Sequence, residues 1–363
     1  MRGSVLRAGA LAAAALLLAC SGGQAAETAA PESGDKAAAQ ASAQAGAQPG
    51  AQAGAQAGVQ AGASANVCQR GCLAALVDAY LDALVAHKPA QLALVPHVRY
   101  TENGVERRVG DALWQTASGR GRYRLIVADP ESGQVGFYGT VLENGKPVLL
   151  ALRLRIDARY RISEIESLVA RGEGAPAGMR APGEALEARG QPRPQFVRTV
   201  AASERLSRAQ LIRIADSYFS NLQGSTGKSS APFAASCERW ENGTQTTHVR
   251  DGRSGSAGFD VLALGCEAQQ RSGFFSFVTG IRNRRFPVVD RERGLVLSFA
   301  YFEHSGAVRE LHLADGKIIA SPVAAPLSLQ ISELFQIDEG KIDQIEAVIN
   351  TVPYGMRSDL WDR

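Results

Sequence analysis

The sequence predicts an α+β protein in which one domain is written twice in tandem, each copy carrying helices at one end of an antiparallel sheet. Three observations predict this. Blocks of similar pattern recur in the same order in the two halves of the chain. Each series opens on a helical stripe and continues as strand-like runs joined by turn residues. A stretch rich in Gly, Pro and Ala separates the two series. The chain of 363 residues is long enough for about two domains. Hydrophobic residues make up 45% and charged residues 21%, which excludes collagen-like and wholly disordered classes. The net charge of +3 is too balanced for a nucleic-acid-binding protein, which needs a concentrated basic surface.

The elements follow in chain order. Arg2 and Arg7 precede an apolar run from Ala8 to Ala19. The run is shorter than the roughly 20 residues of a membrane-spanning helix and suits a signal-peptide core. It ends in Leu17-Leu18-Ala19-Cys20, followed by Ser21-Gly22-Gly23. This resembles the bacterial lipoprotein box, which implies cleavage after residue 19 and a lipid on Cys20. Such a chain would meet the membrane through acyl groups, each buried methylene contributing about 0.8 kcal/mol. Ser21 stands where Asp would imply inner-membrane retention, so the resemblance points to the outer membrane of the cell envelope. Residues 20–66 are mostly Ala, Gly, Gln and Ser without aromatics, and are expected to form a disordered tether.

The first copy is expected over 67–171 and the second over 207–356, with a linker at 172–206 and a tail at 357–363. The first shared block is Leu73, Leu76, Asp78, Tyr80, Leu81 and Leu84 against Leu211, Ile214, Asp216, Tyr218, Phe219 and Leu222, an amphipathic helix in each copy. The second sets Tyr100-Thr101-Glu102-Asn103-Gly104 against Arg239-Trp240-Glu241-Asn242-Gly243, a strand ending in an Asn-Gly turn. The third sets Val127-Ala128-Asp129 and Gly133-Gln134-Val135 against Val288-Val289-Asp290 and Gly294-Leu295-Val296, a hairpin. The fourth is the closing strand, Ile162 to Val169 against Ile342 to Ile349. The second copy is longer, chiefly at Thr244–Gln270 and Val308–Ala325. On the run Leu295 to Phe302 both faces are apolar, so both should be covered. One would meet the helices of its own copy and the other the sheet of the second copy, making a fused pseudo-dimer.

The opening Tyr-bearing helix and the Ile-x-x-Ile-Glu closing strand resemble the SnoaL-like, nuclear-transport-factor-2-like superfamily. Glu241-Asn242-Gly243, Arg284 to Asp290 and Val352-Pro353-Tyr354-Gly355-Met356 resemble an uncharacterised bacterial and fungal branch of it. The resemblance implies a strongly curved sheet wrapped around helices to form a cone with a pocket. It supplies no secure reaction.

Beyond Cys20 the cysteines are Cys68, Cys72, Cys237 and Cys266. An even number in an exported chain favours disulfides, and four allow three connectivities. Pairing within each copy is expected, Cys68–Cys72 and Cys237–Cys266. The second would close a loop stabilising by about 3–4 kcal/mol. No His cluster at ligand spacing supports a metal site, and no cofactor is expected. The Cys68/Cys72 spacing also differs from that of a catalytic dithiol.

No Gly-x-Ser-x-Gly elbow and no phosphate-binding Gly-rich loop with Lys-Ser/Thr occurs, so hydrolase and nucleotide-enzyme classes find no support. Tyr80, Tyr100, Trp114, Tyr218 and Trp240 fall on elements expected to line a cone, where they would bind a small, cyclic organic molecule. Core packing is the plainer role for each. Asp129 and Asp290 head matched turns, where capping is the plainer role. Arg285 could clamp a ligand carboxylate, and Tyr354 could fold over a pocket rim. The superfamily's lyases, dehydratases and isomerases imply a pocket acid or base with a Tyr donor; here His304 or an acidic residue such as an Asp would serve with Tyr218 or Tyr301. Three functions therefore stand open: a small-molecule-binding envelope lipoprotein, a cofactor-free enzyme of that kind, and a structural protein with filled pockets.

Overall fold

The computed structural model describes residues 68–172, 181–250 and 259–361. The expected signal peptide, Cys20 and all of the tether lie outside them.

Helix α1 (Arg70–Val85) buries Leu73, Val77, Tyr80, Leu81 and Leu84 along one stripe. It ends in paired bonds, Lys88 N–H to the Ala83 carbonyl and His87 N–H to the Leu84 carbonyl, with His87 at φ 55°. The sheet strands of this half are β1 (Leu94–Glu102), β2 (Val105–Glu106), β3 (Ala117–Asp129), β4 (Gln134–Glu143), β5 (Lys146–Ile156) and β6 (Ile162–Ala170), with a short helix α2 (Leu113–Thr116) before β3. Helices α3 (Glu184–Arg189) and α4 (Pro194–Val197) connect the halves.

The second half opens on α5 (Arg208–Leu222), capped by Ser207 and Gln210 in a reciprocal capping box. Its strands are β7 (Phe233–Glu241), β8 (Thr244–Gln245), β9 (Gly280–Asp290), β10 (Leu295–His304), β13 (Leu327–Asp338) and β14 (Lys341–Val352). Between them lie α6 (Cys266–Arg271) and a small hairpin, β11 (Glu310–His312) with β12 (Ile318–Ala320). The sheets are ordered β2-β1-β6-β5-β4-β3 and β8-β7-β14-β13-β10-β9. With β11 and β12 set aside as an insertion, the second order is the first repeated. One α+β architecture is therefore present twice.

The sheets are mixed, which corrects the expectation of antiparallel ones. β1 runs parallel to β6, and β7 parallel to β14; the remaining neighbours are antiparallel. Alternation of side chains is the same in both ladder types, so strand direction does not show in the pattern. The Asn-Gly turns hold these parallel pairs in register. Asn103 and Asn242 sit at φ 52° and 47°. The Asn103 amide donates to the Val169 carbonyl and accepts from Val169 N–H, at 3.2 and 2.8 Å. Asn242 does the same to Ile349, at 3.0 and 2.8 Å. Each side chain extends the ladder by one rung where the strand turns away.

Each half has its own core, and a third apolar cluster lies between the two sheets. β10 divides as its alternation requires. Val296, Ala300 and Phe302 enter the core of their own half, while Leu295, Leu297 and Phe299 join the shared cluster. On β5, Leu150, Leu152 and Leu154 face their own core, and Leu149 and Ala151 face the shared cluster. Gly136 permits this approach, because a Cβ there would come within 2.6 Å of the Leu297 side chain.

Buried charges cross between the sheets in matched pairs. Asp129 accepts from Val289 N–H at 2.9 Å and from the Arg208 guanidinium. Asp290 accepts from Ala128 N–H at 3.3 Å and from both terminal nitrogens of Arg70 at 2.8 and 2.5 Å. Each half thus gives a turn Asp to the other half's backbone and to the first residue of its opening helix. Such reciprocity is the mark of a two-fold interface. Both aspartates also cap their own turns, through Ser132 N–H and Arg293 N–H at 3.2 Å.

The structure contains the disulfides Cys68–Cys72 and Cys237–Cys266. The second ties β7 to α6. The insertions of the second half cover one end of its core, to which Leu311, Leu313, Ile319 and Val323 belong.

Candidate functional site

On the inner face of the second sheet, Arg239, Glu241 and Glu333 meet Tyr218 of α5 and Thr246. On β13, Leu329, Ile331 and Phe335 enter the core of this half, so Glu333 lies on the same face, opposite in direction to Leu334. Across β14 the register aligns Glu333, Ala347 and Glu241 in one row, and Phe335, Ile345 and Arg239 in the next. Arg239 pairs with Glu241 at 2.7 Å and donates to the Tyr218 hydroxyl at 3.0 Å and to Thr246 Oγ1 at 3.1 Å. Its guanidinium lies over the Phe275 ring. Burial works against the Arg239 charge, but Glu241, Tyr218 and Glu333 hold its pKa above the ordinary value.

Glu333 is the exceptional member. It is 2% exposed, and its Oε2 has no hydrogen-bond partner among the described residues. Burial pushes its pKa up to about 8, against the pull of Arg239. At neutral pH the folded chain holds it largely as the neutral acid. Glu166, equally buried between the sheets, behaves in the opposite way. Arg285 grips it with two bonds at 3.0 and 2.5 Å, and Arg153 adds one at 3.0 Å. Burial alone would raise its pKa, but Arg285 and Arg153 hold it below the usual carboxylate range. Glu333 has a single guanidinium nearby, already committed to Glu241.

Among the described residues the first half has no such group. Leu152 stands where the second half has Glu333, by the matching rungs to Ser167 and Ala347. Its polar residues satisfy one another. Trp114 Nε1 donates to the Tyr80 hydroxyl at 3.2 Å, and the Tyr100 hydroxyl donates to Glu102 Oε2 at 3.2 Å. Glu102 also accepts from Leu113 N–H at 3.0 Å and pairs with Arg171 at 2.9 Å. Tyr80, Tyr100 and Trp114 are therefore packed core residues with paired polar ends.

The other sequence candidates are scattered. His304 lies on the inner face at the end of β10, fully buried and stacked on Phe277 with ring centroids 5.5 Å apart. Neither ring nitrogen has a hydrogen-bond partner among the described residues, and burial pushes its pKa down to about 4. It pairs opposite Leu327, whereas Glu333 pairs opposite Ser298, a strand separation of roughly 20 Å. Tyr301 belongs to the opposite face of β10, where its hydroxyl donates to the Gln330 amide oxygen at 3.1 Å and its ring lies under Arg282. The structure therefore does not assemble His304 with Tyr301 or with Tyr218. Tyr218 alone of these three joins the polar cluster.

Trp240 faces away from the interior. It lies under Arg193, whose guanidinium carbon is 3.6 Å from the ring centroid. Arg239 and Trp240 are adjacent on a strand, so only one can point inward. Arg285 does clamp a carboxylate, but that carboxylate is Glu166 of the same chain. Tyr354 is 51% exposed. The residues after it, expected as a tail, dock on the first half. Trp361 Nε1 donates to Thr101 Oγ1 at 2.8 Å, its ring lies beneath Arg99 and Arg153, and Glu106 N–H donates to Asp359 at 2.8 Å.

Glu333 and Arg239 were missed by sequence reasoning. The available signal was a charged residue in register with Leu329, Ile331 and Phe335 on an otherwise apolar face. Among the described residues no group of three or more His, Cys, Asp or Glu is placed to hold a metal.

The chain is thus an α+β protein of two like halves, with an incompletely paired acid inside the second. Over residues 204–349 it is similar to a family described as a domain of unknown function, DUF8021. That span contains Tyr218, Arg239, Glu241 and Glu333. No curated protein matches the chain.

Proposed function

We propose that this chain is a lipid-anchored protein of the bacterial cell envelope, held in the outer membrane through Cys20. Its second half would be a small-molecule-binding module of the SnoaL-like, nuclear-transport-factor-2-like kind, and its first half a filled copy that braces it. The Leu17 to Cys20 motif supports the anchor, and two disulfides accord with an oxidising compartment. Labelled palmitate is expected to join the wild-type chain and not a Cys20→Ala variant; equal labelling of both would remove the anchor from this proposal.

The observation that carries the binding reading is the unpartnered Glu333 Oε2 beside Tyr218 and Arg239. A buried polar atom without a partner costs about 1–3 kcal/mol, which a ligand's polar end would offset. The aromatic rings Tyr218, Phe233, Phe335 and Phe275 suit the apolar body of a small cyclic compound. A second reading is favoured by the Glu333 pKa of about 8, which suits an acid or base at neutral pH. In that reading Glu333 moves a proton on the bound molecule while Tyr218 stabilises the developing charge, a lyase, dehydratase or isomerase step.

The test is mass spectrometry of small molecules released when the natively purified chain is denatured. Wild type is expected to release one compound that Glu333→Leu does not. Incubating the complex in heavy water separates the two readings, because only proton transfer places deuterium on a carbon of that compound, and Glu333→Gln would abolish it. If wild type releases nothing, or Glu333→Leu releases as much, the interior is filled and the structural reading stands.

A further inference from the structure

The two opening helices occupy equivalent places, and each begins with an arginine that reaches into the other half's hairpin turn. Their first turns are held by different means. At α5 the capping box does it: Gln210 N–H donates to Ser207 Oγ at 3.3 Å, and Ser207 N–H to Gln210 Oε1 at 2.9 Å. At α1 the residue in the capping position is Gln69, whose side chain makes no cap bond. The helix start is held instead by Cys68–Cys72, a bridge spanning 4 residues with the Cα atoms 5.3 Å apart. Arg70 lies inside that short ring. From there its guanidinium bonds Asp290 at 2.8 and 2.5 Å and Glu292 at 3.1 Å.

We propose that the Cys68–Cys72 disulfide is a redox-responsive latch: closed, it presents Arg70 to Asp290 and Glu292 across the two halves, and its reduction releases that contact. The inference is independent of the ligand reading, which concerns another part of the molecule.

Accessibility separates the two disulfides. Cys72 is exposed, whereas Cys237 and Cys266 are 1% and 5% exposed. A dithiol reductant therefore meets Cys72 first. One thiolate of the reductant attacks Cys72 Sγ, the bond to Cys68 breaks, and Cys68 leaves as a thiolate that takes up a proton. The second thiol of the reductant then displaces Cys72, which is also protonated. Two electrons and two protons pass to the protein, and the reductant becomes a disulfide. Freed of its ring, the first turn of α1 has neither bridge nor side-chain cap, and the uncapped turn frays. Asp290, 1% exposed, then keeps only its backbone donors Ala128 and Arg293. The equivalent contact of Arg208 with Asp129 has no cysteine beside it and serves as an internal control.

The full chain would be treated with graded dithiol, with native-state alkylation mapping the open cysteines and thermal unfolding reporting stability. The latch requires alkylation of Cys68 and Cys72 while Cys237 and Cys266 stay protected. It also requires a Tm lower by roughly 2–4 °C once the first pair opens. In Arg70→Gln the same reduction should move Tm by less than half as much, and in Arg208→Gln by the full amount. A chain with Cys68→Ser and Cys72→Ser should match the reduced wild type and ignore the reductant. An equal fall in wild type and Arg70→Gln, or opening of Cys237–Cys266 first, overturns the latch. Should Arg70→Gln not fold, Arg70→Lys keeps the charge, loses the two-pronged bond, and is read by the same comparison.

Discussion

Asp290→Ala is expected to destabilise the chain by about 3 kcal/mol, measured as the change in urea unfolding free energy at pH 7. The carboxylate is buried, and it holds together groups from three places in the chain. It accepts from Arg70 at the start of α1, from Ala128 N–H on β3, and from Arg293 N–H in its own turn. Removing it strands Ala128 N–H, leaves Arg293 N–H with only the main-chain carbonyl of residue 290 at 3.3 Å, and leaves Arg70 with Glu292 alone. A buried amide is costly to leave unpaired, while Arg70, 25% exposed, recovers part of its loss from Glu292 and from water. That partial access places the effect at the lower end of the range for broken buried pairs. Asp129→Ala is expected to cost a similar amount, since it holds Val289 N–H and Arg208 in the same way. The two sites lie side by side, so the double variant should depart from additivity. A loss under about 1 kcal/mol for both single variants would show that the crossed aspartates only cap their turns.

Glu333→Gln is expected to stabilise the chain by about 3 kcal/mol at pH 7 to 8 and to have little effect near pH 4.5. An unfolded glutamate ionises near 4.5, but in the folded chain Glu333 does so near 8, chiefly because it is buried. The folded state therefore keeps a proton that the unfolded state gives up, and stability falls as pH rises from 4.5 to 8. Glutamine removes this slope. His304 acts on the other side. Burial holds its folded pKa near 4 against an ordinary 6.5, so the unfolded chain takes up a proton first, and stability falls as pH drops from 6.5 to 4. Glu143, Glu164 and Glu166, whose pKa values lie below the usual range, steepen the same acid limb. The two windows overlap between about pH 4.5 and 6.5, where their slopes oppose each other, so wild type should be most stable there and lose stability on either side. Urea unfolding across pH 4.5 to 8 checks the prediction, and an equal effect of Glu333→Gln at both ends would sink it.

What was legible in the sequence was local. The helical stripes, the Asn-Gly turns, the hairpins headed by Asp129 and Asp290, and the two apolar faces of β10 follow from residue spacing and turn chemistry within a few positions. The disulfide pairs followed because each joins cysteines of one copy. Alternation also held the information that Arg239 and Trp240 face opposite ways, and that Glu333 shares a face with Leu329 and Phe335. Only the parallel pairing of β7 with β14 showed which of those faces is the interior, and that Glu333 comes into line with Glu241.

By itself, the sequence determined that one α+β pattern is present twice and where its turns fall, because periodicity and backbone preferences act over short range. Tertiary structure alone decided which charges lose their water and which partner each then meets. Arg285 finds Glu166, Asp290 finds Arg70, and Glu333 is left with an open oxygen. Those outcomes depend on contacts between residues far apart in the chain, where the energy of a charge is set by its neighbours in space and by how much solvent remains.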